Sequence, residues 1–442
     1  MLFPRLAKLV QVLLLSSVID AAPSSKTKRA SILPLSTKGR DILDANGNVF
    51  HYTSTNWPGH QEIMIPEGLQ HSSVQDIVAW FPKFGLNSVR LTFAIEMIDD
   101  HFAGSPNQTL EKSVINALGS SNGTKVLNQI LAKNPQFRKN TTRLEVWDAV
   151  GKELSKQGVI IHLDNHVSKA CTFWCCADDD GNGWFGEKYF NVENWKRGLA
   201  FMSKHSHLLQ AKDNWGTFAS IGLRNELRGA KVSEPVDWYT WYVHMTSAAN
   251  AVHEADPDAL IFFSGLSYDT YIDPIPLGKT LNGTKGTKSD GKTAKFTPSD
   301  FAYKDKIVLE IHKYDFEATK DDCATFKRKW YQKGFQAINP KDPATKFLFP
   351  MVISEWGFIN NGTYWNQTTY AKCLVEMVKE YKVSWQHWDL SGSFYLQTRP
   401  GRKPATIQGL EEFWGLLNYD WTAIRSPITL ENSLYKMIGA LK

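Results

Sequence analysis

Two glutamates far apart along the chain, Glu226 and Glu355, each follow the end of a short apolar run. Other polar and aromatic side chains stand at the ends of similar runs: Arg90, His166, Asn225, His312, Tyr314 and Trp388. Two carboxyl groups that face each other, one protonated and one ionised, can cleave a glycosidic bond by acid/base and nucleophilic chemistry. The pattern has this meaning only if one fold gathers all of these residues.

Each of these residues also has a simpler interpretation when it is taken alone. A glutamate at a strand end is more often solvated or salt-bridged than catalytic. Arg90 fits a structural ion pair equally well, because a buried arginine is usually paired. His166 and His312 fit core or supporting positions, and Trp356 and Trp388 fit the core. The catalytic interpretation therefore depends on the architecture.

The apolar runs alternate with helical patterns in a way that predicts a (β/α)₈ barrel of the α/β class. Strands are predicted at 49–54, 88–93, 159–163, 218–223, 260–264, 307–311, 351–354 and 383–388. Helices are predicted between them, among others at 74–84, 143–156, 236–255 and 370–381. Nearly continuous apolar runs are typical of parallel strands that are covered on both faces, and eight of them match the barrel. A doubly wound open sheet favours a glycine-rich first turn, and none follows the first strand.

Three long loops are predicted at 96–142, 168–193 and 268–305, each after a strand. In a barrel such loops emerge at the C-terminal mouth, where active sites lie. The strand-end residues listed above converge on the same mouth. We therefore expect a single domain with one site, surrounded by long loops.

The N-terminus has the layout of a secretory signal peptide, predicted at residues 1–22. Arg5 and Lys8 precede an apolar run that leads to Ala21 and Ala22, and this run is too short to span a bilayer comfortably. An uncleaved membrane anchor is the rival interpretation. A short segment, 23–44, follows with a dibasic pair at 28–29 that is a candidate processing site, and the catalytic domain is predicted at 45–442.

Glycosylation signals and cysteines fit an exported protein. Six N-x-S/T acceptors occur, at Asn107, Asn122, Asn140, Asn282, Asn361 and Asn366. The 5 cysteines are an odd number, so at least one is free or pairs outside the chain. Three of them, Cys171, Cys175 and Cys176, favour a local disulfide that clamps a loop, since a zinc site lacks a fourth ligand at matching spacing. The sequence leaves the pairing open.

Charge and hydropathy argue against several other classes of protein. The net charge is +5 and basic clusters are short, which excludes a nucleic-acid footprint. No apolar run beyond the N-terminus approaches membrane length. Nothing indicates an oligomer, so we expect a secreted monomer.

Two short motifs resemble the signatures of glycoside hydrolase family 5, the cellulase family: Asn225-Glu226 and Ser354-Glu355-Trp356-Gly357. Arg90, His166, the His312-x-Tyr314 pair and Trp388 match further positions of that family. The resemblance extends from about residue 45 to 425. The stretches 163–169, 175–176, 180–183 and 224–229 resemble a plant and fungal branch of cellulase-like members.

The resemblance implies a retaining hydrolase in which Glu226 is the acid/base and Glu355 the nucleophile, about 5–5.5 Å apart. We expect Arg90 to hold the pKa of Glu355 down, and the charge of Glu355 to raise that of Glu226. The remaining implied roles are hydrogen bonding to the nucleophile for Tyr314, contact with the sugar 2-hydroxyl for Asn225, orientation or sugar binding for His166 and His312, and stacking for Trp388. Four more tryptophans either extend the cleft or belong to the core, and the sequence leaves both interpretations open: Trp57, Trp174, Trp184 and Trp356.

The expected substrate is a β-linked glycan, with a cellulose-type β-1,4-glucan as the default. Mannan, a glycolipid or another β-glycan is the alternative, as is a catalytically silent carbohydrate-binding barrel. Leu227 stands where the family usually has proline, which leaves the chemistry intact, and the loop after Trp388 lacks the glycine-rich pattern of well-studied cellulases. A phosphate-binding barrel is disfavoured, because no glycine-rich turn follows the last two strands.

No cofactor is expected, and the predicted chemistry needs no metal. Asp178, Asp180 and Asn182 imitate the start of a calcium loop, but Tyr189 occupies the position of the closing glutamate. We therefore expect an acidic turn there rather than a calcium site.

Overall fold

A computed structural model describes residues 32–171, 181–210, 215–229, 234–314, 322–364, 369–398 and 405–442. Eight parallel strands close into a barrel in which each strand pairs with the next and the last pairs with the first. The strands are β1 Thr53–Pro58, β2 Ser88–Ala94, β3 Ile160–Val167, β4 Phe218–Gly222, β5 Leu260–Phe263, β6 Ile307–Lys313, β7 Met351–Trp356 and β8 Ser384–His387. The predicted (β/α)₈ barrel is confirmed.

Helices surround the barrel and fill its connections. They are α1 Val74–Val78, α2 Trp80–Lys83, α3 Ile95–Phe102, α4 Leu110–Leu118, α5 Ser120–Lys133, α6 Arg143–Lys156, α7 Val192–Gln210, α8 Trp238–Ala255, α9 Cys323–Tyr331, α10 Thr369–Tyr381, α11 Pro427–Asn432 and α12 Leu434–Leu441. The helix predicted at 74–84 is divided at Ala79. Pro82 has no N–H to donate to the carbonyl of Val78, so a continuous helix loses a hydrogen bond there.

Two sequence predictions of local structure are wrong. The first barrel strand is Thr53–Pro58 rather than 49–54, because Val49–Phe50 pairs with Asp41–Leu43 in a small antiparallel sheet. The segment 96–142 is largely helical rather than a loop, since α3, α4 and α5 lie within it. Leu110, Val114 and Leu118 are buried at helical spacing, which is the signal that the loop prediction missed.

The small sheet closes the N-terminal end of the barrel. Leu35, Ile42 and Tyr52 pack in one apolar cluster with the first residues of the barrel strands, such as Ile160 and Leu260. The inside of the barrel is therefore sealed at this end. Loops surround the opposite end of the barrel, where the strands finish.

Alternation along the strands sorts apolar and polar side chains to opposite sides. In β2, Val89, Leu91 and Phe93 join the core between strands and helices, whereas Arg90 belongs to the interior of the barrel. Asp164 in β3 follows the same rule. Because side chains alternate along a strand, an apolar outer layer and a polar interior arise from one pattern.

A disulfide joins Cys323, at the start of α9, to Cys373 in α10 across a sequence separation of 50 residues. The predicted signal peptide, the dibasic pair at 28–29, Cys175, Cys176 and Trp174 lie outside the described residues, as do Asp178 and Asp180. Within the described ranges, no helix combines the length and apolar character that crossing a membrane requires.

Candidate active site

The residues singled out at strand ends meet at the C-terminal mouth of the barrel. A cavity of about 550 Å³ opens there. Its lining residues are His166, Glu226, Tyr268, Thr270, His312, Tyr314, Glu355, Trp388, Gln397, Glu412 and Trp414. Arg90 and Asn225 lie buried next to this cavity and hydrogen-bond to its walls or to each other. The barrel thus gathers residues from six strands or strand ends.

The two glutamates face each other across the cavity. One carboxyl oxygen of Glu226, one of Glu355 and a ring nitrogen of His312 all lie within 4.8 Å of one another. Both glutamates are about 5% exposed. A separation of no more than 4.8 Å lets both carboxyl groups reach the same sugar carbon and its substituents.

Arg90 fixes the carboxylate of Glu355. Its Nη1 donates to Glu355 Oε1 at 2.6 Å and to Asn56 Oδ1 at 2.8 Å, and its Nη2 donates to Asn225 Oδ1 at 3.0 Å. Nη2 also lies 2.8 Å from a carboxylate oxygen of Asp164. The guanidinium is fully buried, and this planar fork leaves Glu355 little freedom to turn.

His166 and Asn225 are held by a chain of hydrogen bonds that begins at Asp164. His166 Nδ1 lies 2.8 Å from Asp164 Oδ2, and its Nε2 lies 3.4 Å from Asn225 Nδ2. Burial lowers the pKa of His166 well below its usual value, so the ring is neutral. A neutral ring satisfies both contacts if Nδ1–H donates to Asp164 and Nε2 accepts from the amide.

His312 and Tyr314 connect the two glutamates. His312 Nδ1 lies 2.9 Å from Glu226 Oε1 and 3.5 Å from Glu355 Oε2. The hydroxyl of Tyr314 donates to Glu355 Oε2 at 3.1 Å. Glu355 thus accepts from Arg90 on one oxygen and from Tyr314 on the other, and both contacts favour its ionised form.

The pKa of Glu355 differs from the sequence-based expectation. Burial raises this pKa to about 7, although His312 and Arg90 lower it, and the neighbouring Glu226 raises it further. Arg90 lowers this pKa as expected, but burial outweighs it and the net shift is upward. Arg90 shares its single charge with Asp164 and also lies 4.0 Å from Glu310, so it offsets only part of the cost of burying Glu355.

Three tryptophans that we expected in the cleft belong to the core. Trp57 and Trp184 are fully buried and donate to backbone carbonyls, those of Glu67 and Pro235. Trp356 is 1% exposed. Trp57 and Trp356 directly follow the inward-facing residues of their strands, so the pleat turns them outward into the helical layer. The expectation was wrong for all three.

Trp388 does line the cavity, as expected, and the structure adds Trp414. The ring of Trp388 stacks on His166 with centroids 5.3 Å apart, and Trp414 lies 5.6 Å from the ring of Tyr314. A Cβ at Gly357 would come within 2.4 Å of the carbonyl oxygen of Trp388 and 3.2 Å of the Trp414 ring. Glycine at this position therefore allows both aromatic walls to approach.

Several cavity or supporting residues were missed by reasoning from strand ends. Asp269, Gln397, Glu412 and Trp414 come from the connections after β5 and β8, where Gln397 lies in a short strand, Leu396–Thr398. Burial raises the pKa of Glu412 to about 7. Glu310, in the interior of β6, could have been found, because an acidic residue inside an apolar run breaks the pattern of a buried strand.

In the part of the chain that the structure describes, two groups of residues have the spacing of metal ligands: Glu226 with His312 and Glu355, and His207 with Asp256 and Asp258. In the first group the Arg90 cation already binds Glu355 at 2.6 Å, and it opposes a second positive charge there. In the second group His207 Nδ1 pairs with Asp256 Oδ1 at 3.1 Å, an ordinary ion-pair geometry.

Comparison with known proteins gives the family that the sequence motifs resemble. Residues 43–393 match the sequence model of cellulase, glycosyl hydrolase family 5. A glycosyl hydrolase 5 family protein of Chamaecyparis obtusa is 32% identical over 435 residues, which are 96% of this chain and 68% of that protein.

Solved structures share the fold. The catalytic domain of the major endoglucanase of Xanthomonas campestris pv. campestris superimposes with a TM-score of 0.63 at 15% identity, over 92% of this chain and 99% of that one. An endocellulase of the archaeon Pyrococcus horikoshii gives 0.60 at 17% identity, over 93% of this chain and 100% of that one. By its family match and its relative, the chain belongs to glycosyl hydrolase family 5, the cellulase family, and is a glycosidase.

Proposed function

We propose that this glycosidase cleaves β-linked glucan with retention of configuration, with Glu355 as nucleophile and Glu226 as acid/base. The observation that carries the proposal is the approach of the two carboxyl groups, whose nearest oxygens lie within 4.8 Å. Retaining enzymes hold their carboxyl groups about 5–5.5 Å apart, whereas inverting enzymes leave about 6.5–9.5 Å for a water molecule. The spacing favours direct attack by a carboxylate.

The contacts of Glu355 suit a nucleophile. Arg90 and Tyr314 donate to its two oxygens and orient it, and both donors stabilise the carboxylate that attacks. In the first step, a carboxylate oxygen of Glu355 bonds to the anomeric carbon while the bond from that carbon to the leaving oxygen breaks. The product of this step is a covalent glycosyl-enzyme.

Glu226 supplies and recovers the proton. It protonates the leaving oxygen in the first step, then takes a proton from water as the water attacks the anomeric carbon and releases Glu355. Its contact with His312 at 2.9 Å fits a protonated carboxyl that donates to a neutral ring nitrogen. Burial lowers the pKa of His312, which keeps that ring neutral.

The walls of the cavity suit a sugar. Asn225 stands between Arg90 and His166, where its amide can meet a 2-hydroxyl, and such a contact strengthens in the transition state. Trp388 and Trp414 offer aromatic faces for stacking. The endoglucanase and endocellulase among the structural neighbours support β-1,4-glucan as the first substrate to test.

The double displacement is tested with Glu355→Gln and Glu226→Ala, and with Glu111→Gln, a half-buried glutamate of α4 that pairs with Lys139, as the matched control. On 2,4-dinitrophenyl β-cellobioside, Glu355→Gln should lose at least about 10³-fold in kcat, as removal of a nucleophile does. With Glu226→Ala, added azide should yield the β-glycosyl azide. An α-anomer as the first product of the wild type, followed by NMR, would refute retention.

The same assay separates an enzyme from a carbohydrate-binding barrel. A silent barrel would bind cello-oligosaccharides without releasing products, and Glu355→Gln would then behave like the wild type. A panel of cello-, manno- and other β-linked oligosaccharides and glycolipids, read out by product length, tests the substrate. Preference for a mannan or a glycolipid over glucan would overturn the choice of sugar and leave the chemistry in place.

Secretion is part of the proposal and is supported by the glycosylation signals. Five of the six acceptor asparagines lie in the described residues, and all five are exposed: Asn107, Asn122, Asn140, Asn282 and Asn361. Asn366 lies outside them. Together with the predicted signal peptide at 1–22, exposed acceptors fit a protein that passes through the secretory pathway.

A further inference from the structure

Asp269 follows β5 and directs its carboxyl group toward the two residues that handle the leaving-group proton. Its Oδ2 accepts the backbone N–H of Glu226 at 2.7 Å and lies 3.6 Å from Nε2 of His312. The side chain is fully buried. An acidic group in this setting is costly to bury unless it makes specific contacts, so its contacts are the place to look for a role.

The backbone of Glu226 needs outside support. Its φ of 46° lies in the left-handed region, which costs a residue other than glycine about 1–3 kcal/mol. Its N–H is held by Asp269, and its carbonyl accepts from Nη1 of Arg228 at 3.1 Å. Such a conformation persists only where the surroundings enforce it, and the direction of the Glu226 side chain depends on it.

The segment that carries Asp269 is itself constrained. Ser267, Tyr268 and Asp269 have φ values of 53°, 62° and 55° in succession, without a glycine. The N–H of Tyr268 donates to the carbonyl of Leu227 at 3.1 Å, and the N–H of His312 donates to the carbonyl of Asp269 at 2.9 Å. The segment therefore bridges the turn after β4 and the end of β6.

Asp269 Oδ2 lies 3.6 Å from Nε2 of His312, beyond hydrogen-bond length, and it biases the position of the ring hydrogen electrostatically. A neutral ring has one N–H, and an acceptor beside Nε2 favours the hydrogen at that nitrogen. Nδ1 then accepts the hydrogen of a protonated Glu226, 2.9 Å away. Within the described residues, four titratable groups face Asp269: Glu310, Glu226, Arg90 and His312. The Oδ2 of Asp269 can accept the Glu226 N–H whether or not the carboxyl group is protonated.

We propose that Asp269 is a positioning residue for the acid/base step, which holds Glu226 in its strained conformation and His312 in the tautomer that accepts from it. This inference rests on the proposed function, because it requires Glu226 to be the proton donor. Asp269 acts indirectly, through Glu226. Its removal should therefore slow the hydrolysis of substrates whose leaving group needs a proton more than that of other substrates.

The test compares Asp269→Leu, which keeps the branching at Cγ and removes the acceptor, with Asp269→Asn, which keeps an acceptor. The substrates are phenyl β-cellobioside, whose leaving group needs a proton, and 2,4-dinitrophenyl β-cellobioside, whose leaving group does not. Asp269→Leu should lower kcat/KM about 10–100-fold on the first and less than about threefold on the second, a part of the usual 10²–10⁴-fold effect of a general acid. Asp269→Asn should recover most of the loss.

Asp273→Leu is the control from the same segment, since Asp273 pairs with the exposed Lys279 at 2.7 Å, and it should show no such selectivity. Circular dichroism checks folding, and Asp269→Ala is the second acceptor-free variant if the leucine disturbs the fold. Equal losses on both substrates in a folded variant would overturn the inference. If Glu226→Ala shows no selectivity either, or the wild type hydrolyses neither substrate, the proposed function fails; if only the Asp269 variants lack selectivity, the positioning role alone fails.

Discussion

At the scale of single residues, one arginine among several buried carboxyl groups determines the electrostatics of the site. Arg90 lies within 4.0 Å of carboxylate oxygens from Asp164, Glu310 and Glu355. One cation cannot neutralise all of them, and burial raises the pKa of Asp164 as well as that of Glu355. These buried carboxyl groups therefore hold protons more readily than exposed ones do, and Glu355 ionises as the pH rises through about 7.

The raised pKa of Glu355 should appear in the pH dependence of kcat/KM. The nucleophile acts in its ionised form, and the pKa of Glu355 is raised to about 7, so kcat/KM should fall as the pH decreases through that region. Tyr314→Phe removes a donor to the ionised form and should move this limb to higher pH by about one unit, since a hydrogen bond to a charged group contributes about 1.5–3 kcal/mol. A limb near the ordinary glutamate value of 4.5 in the wild type would contradict the raised pKa.

At the scale of elements, the strands decide which residues reach the site. Glu355 and Trp356 are neighbours in β7, yet the first lines the cavity and the second lies in the core. Their separation follows from the pleat, and it was available from the sequence once the strand was recognised. Helices are equally predictable where they carry local signals. The bounds of α6 match the prediction, and Thr142 and Glu145 form a capping box that defines its start.

The disulfide acts at the same scale, since it joins α9 to α10 across the segment that includes β7. Closing a loop of 50 residues removes conformational freedom from the unfolded chain. Replacing Cys323 and Cys373 together by alanine should lower the free energy of unfolding by about 2–4 kcal/mol. Denaturation in urea measures this, and reduction of the wild type by dithiothreitol should give a similar loss. An unchanged midpoint in both experiments would show that the bridge adds no stability.

At the scale of the whole molecule, the described residues close the barrel at its N-terminal end and leave a cavity at the mouth. Tyr52 and Ile42 belong to the apolar cluster that fills the closed end. The cavity at the mouth gives access to Glu226 and Glu355, so the loops there control what enters it.

The exposed acceptor asparagines predict that the protein is glycosylated when it is secreted. When the chain with its own N-terminus is produced by a eukaryotic cell, it should appear in the medium with glycans on exposed sites such as Asn107 and Asn282. Mass spectrometry before and after treatment with an N-glycosidase measures this, with Asn107→Gln and Asn282→Gln as site controls. Retention of unglycosylated protein inside the cell would refute the proposed secretion.

The sequence by itself determined the barrel, through eight apolar runs and their spacing, and it identified the strand-end residues that meet at the mouth, such as Arg90, Glu226 and Glu355. Period and strand-end position are local properties, so they can be read from neighbouring residues.

Only the tertiary structure decided the approach of the two carboxyl groups, the raised pKa of Glu355, the burial of Trp184 and the contact of Asp269 with Glu226. Each of these depends on groups that are distant along the chain and adjacent in space. A pKa or a burial is a sum over such neighbours, and no local pattern contains that sum.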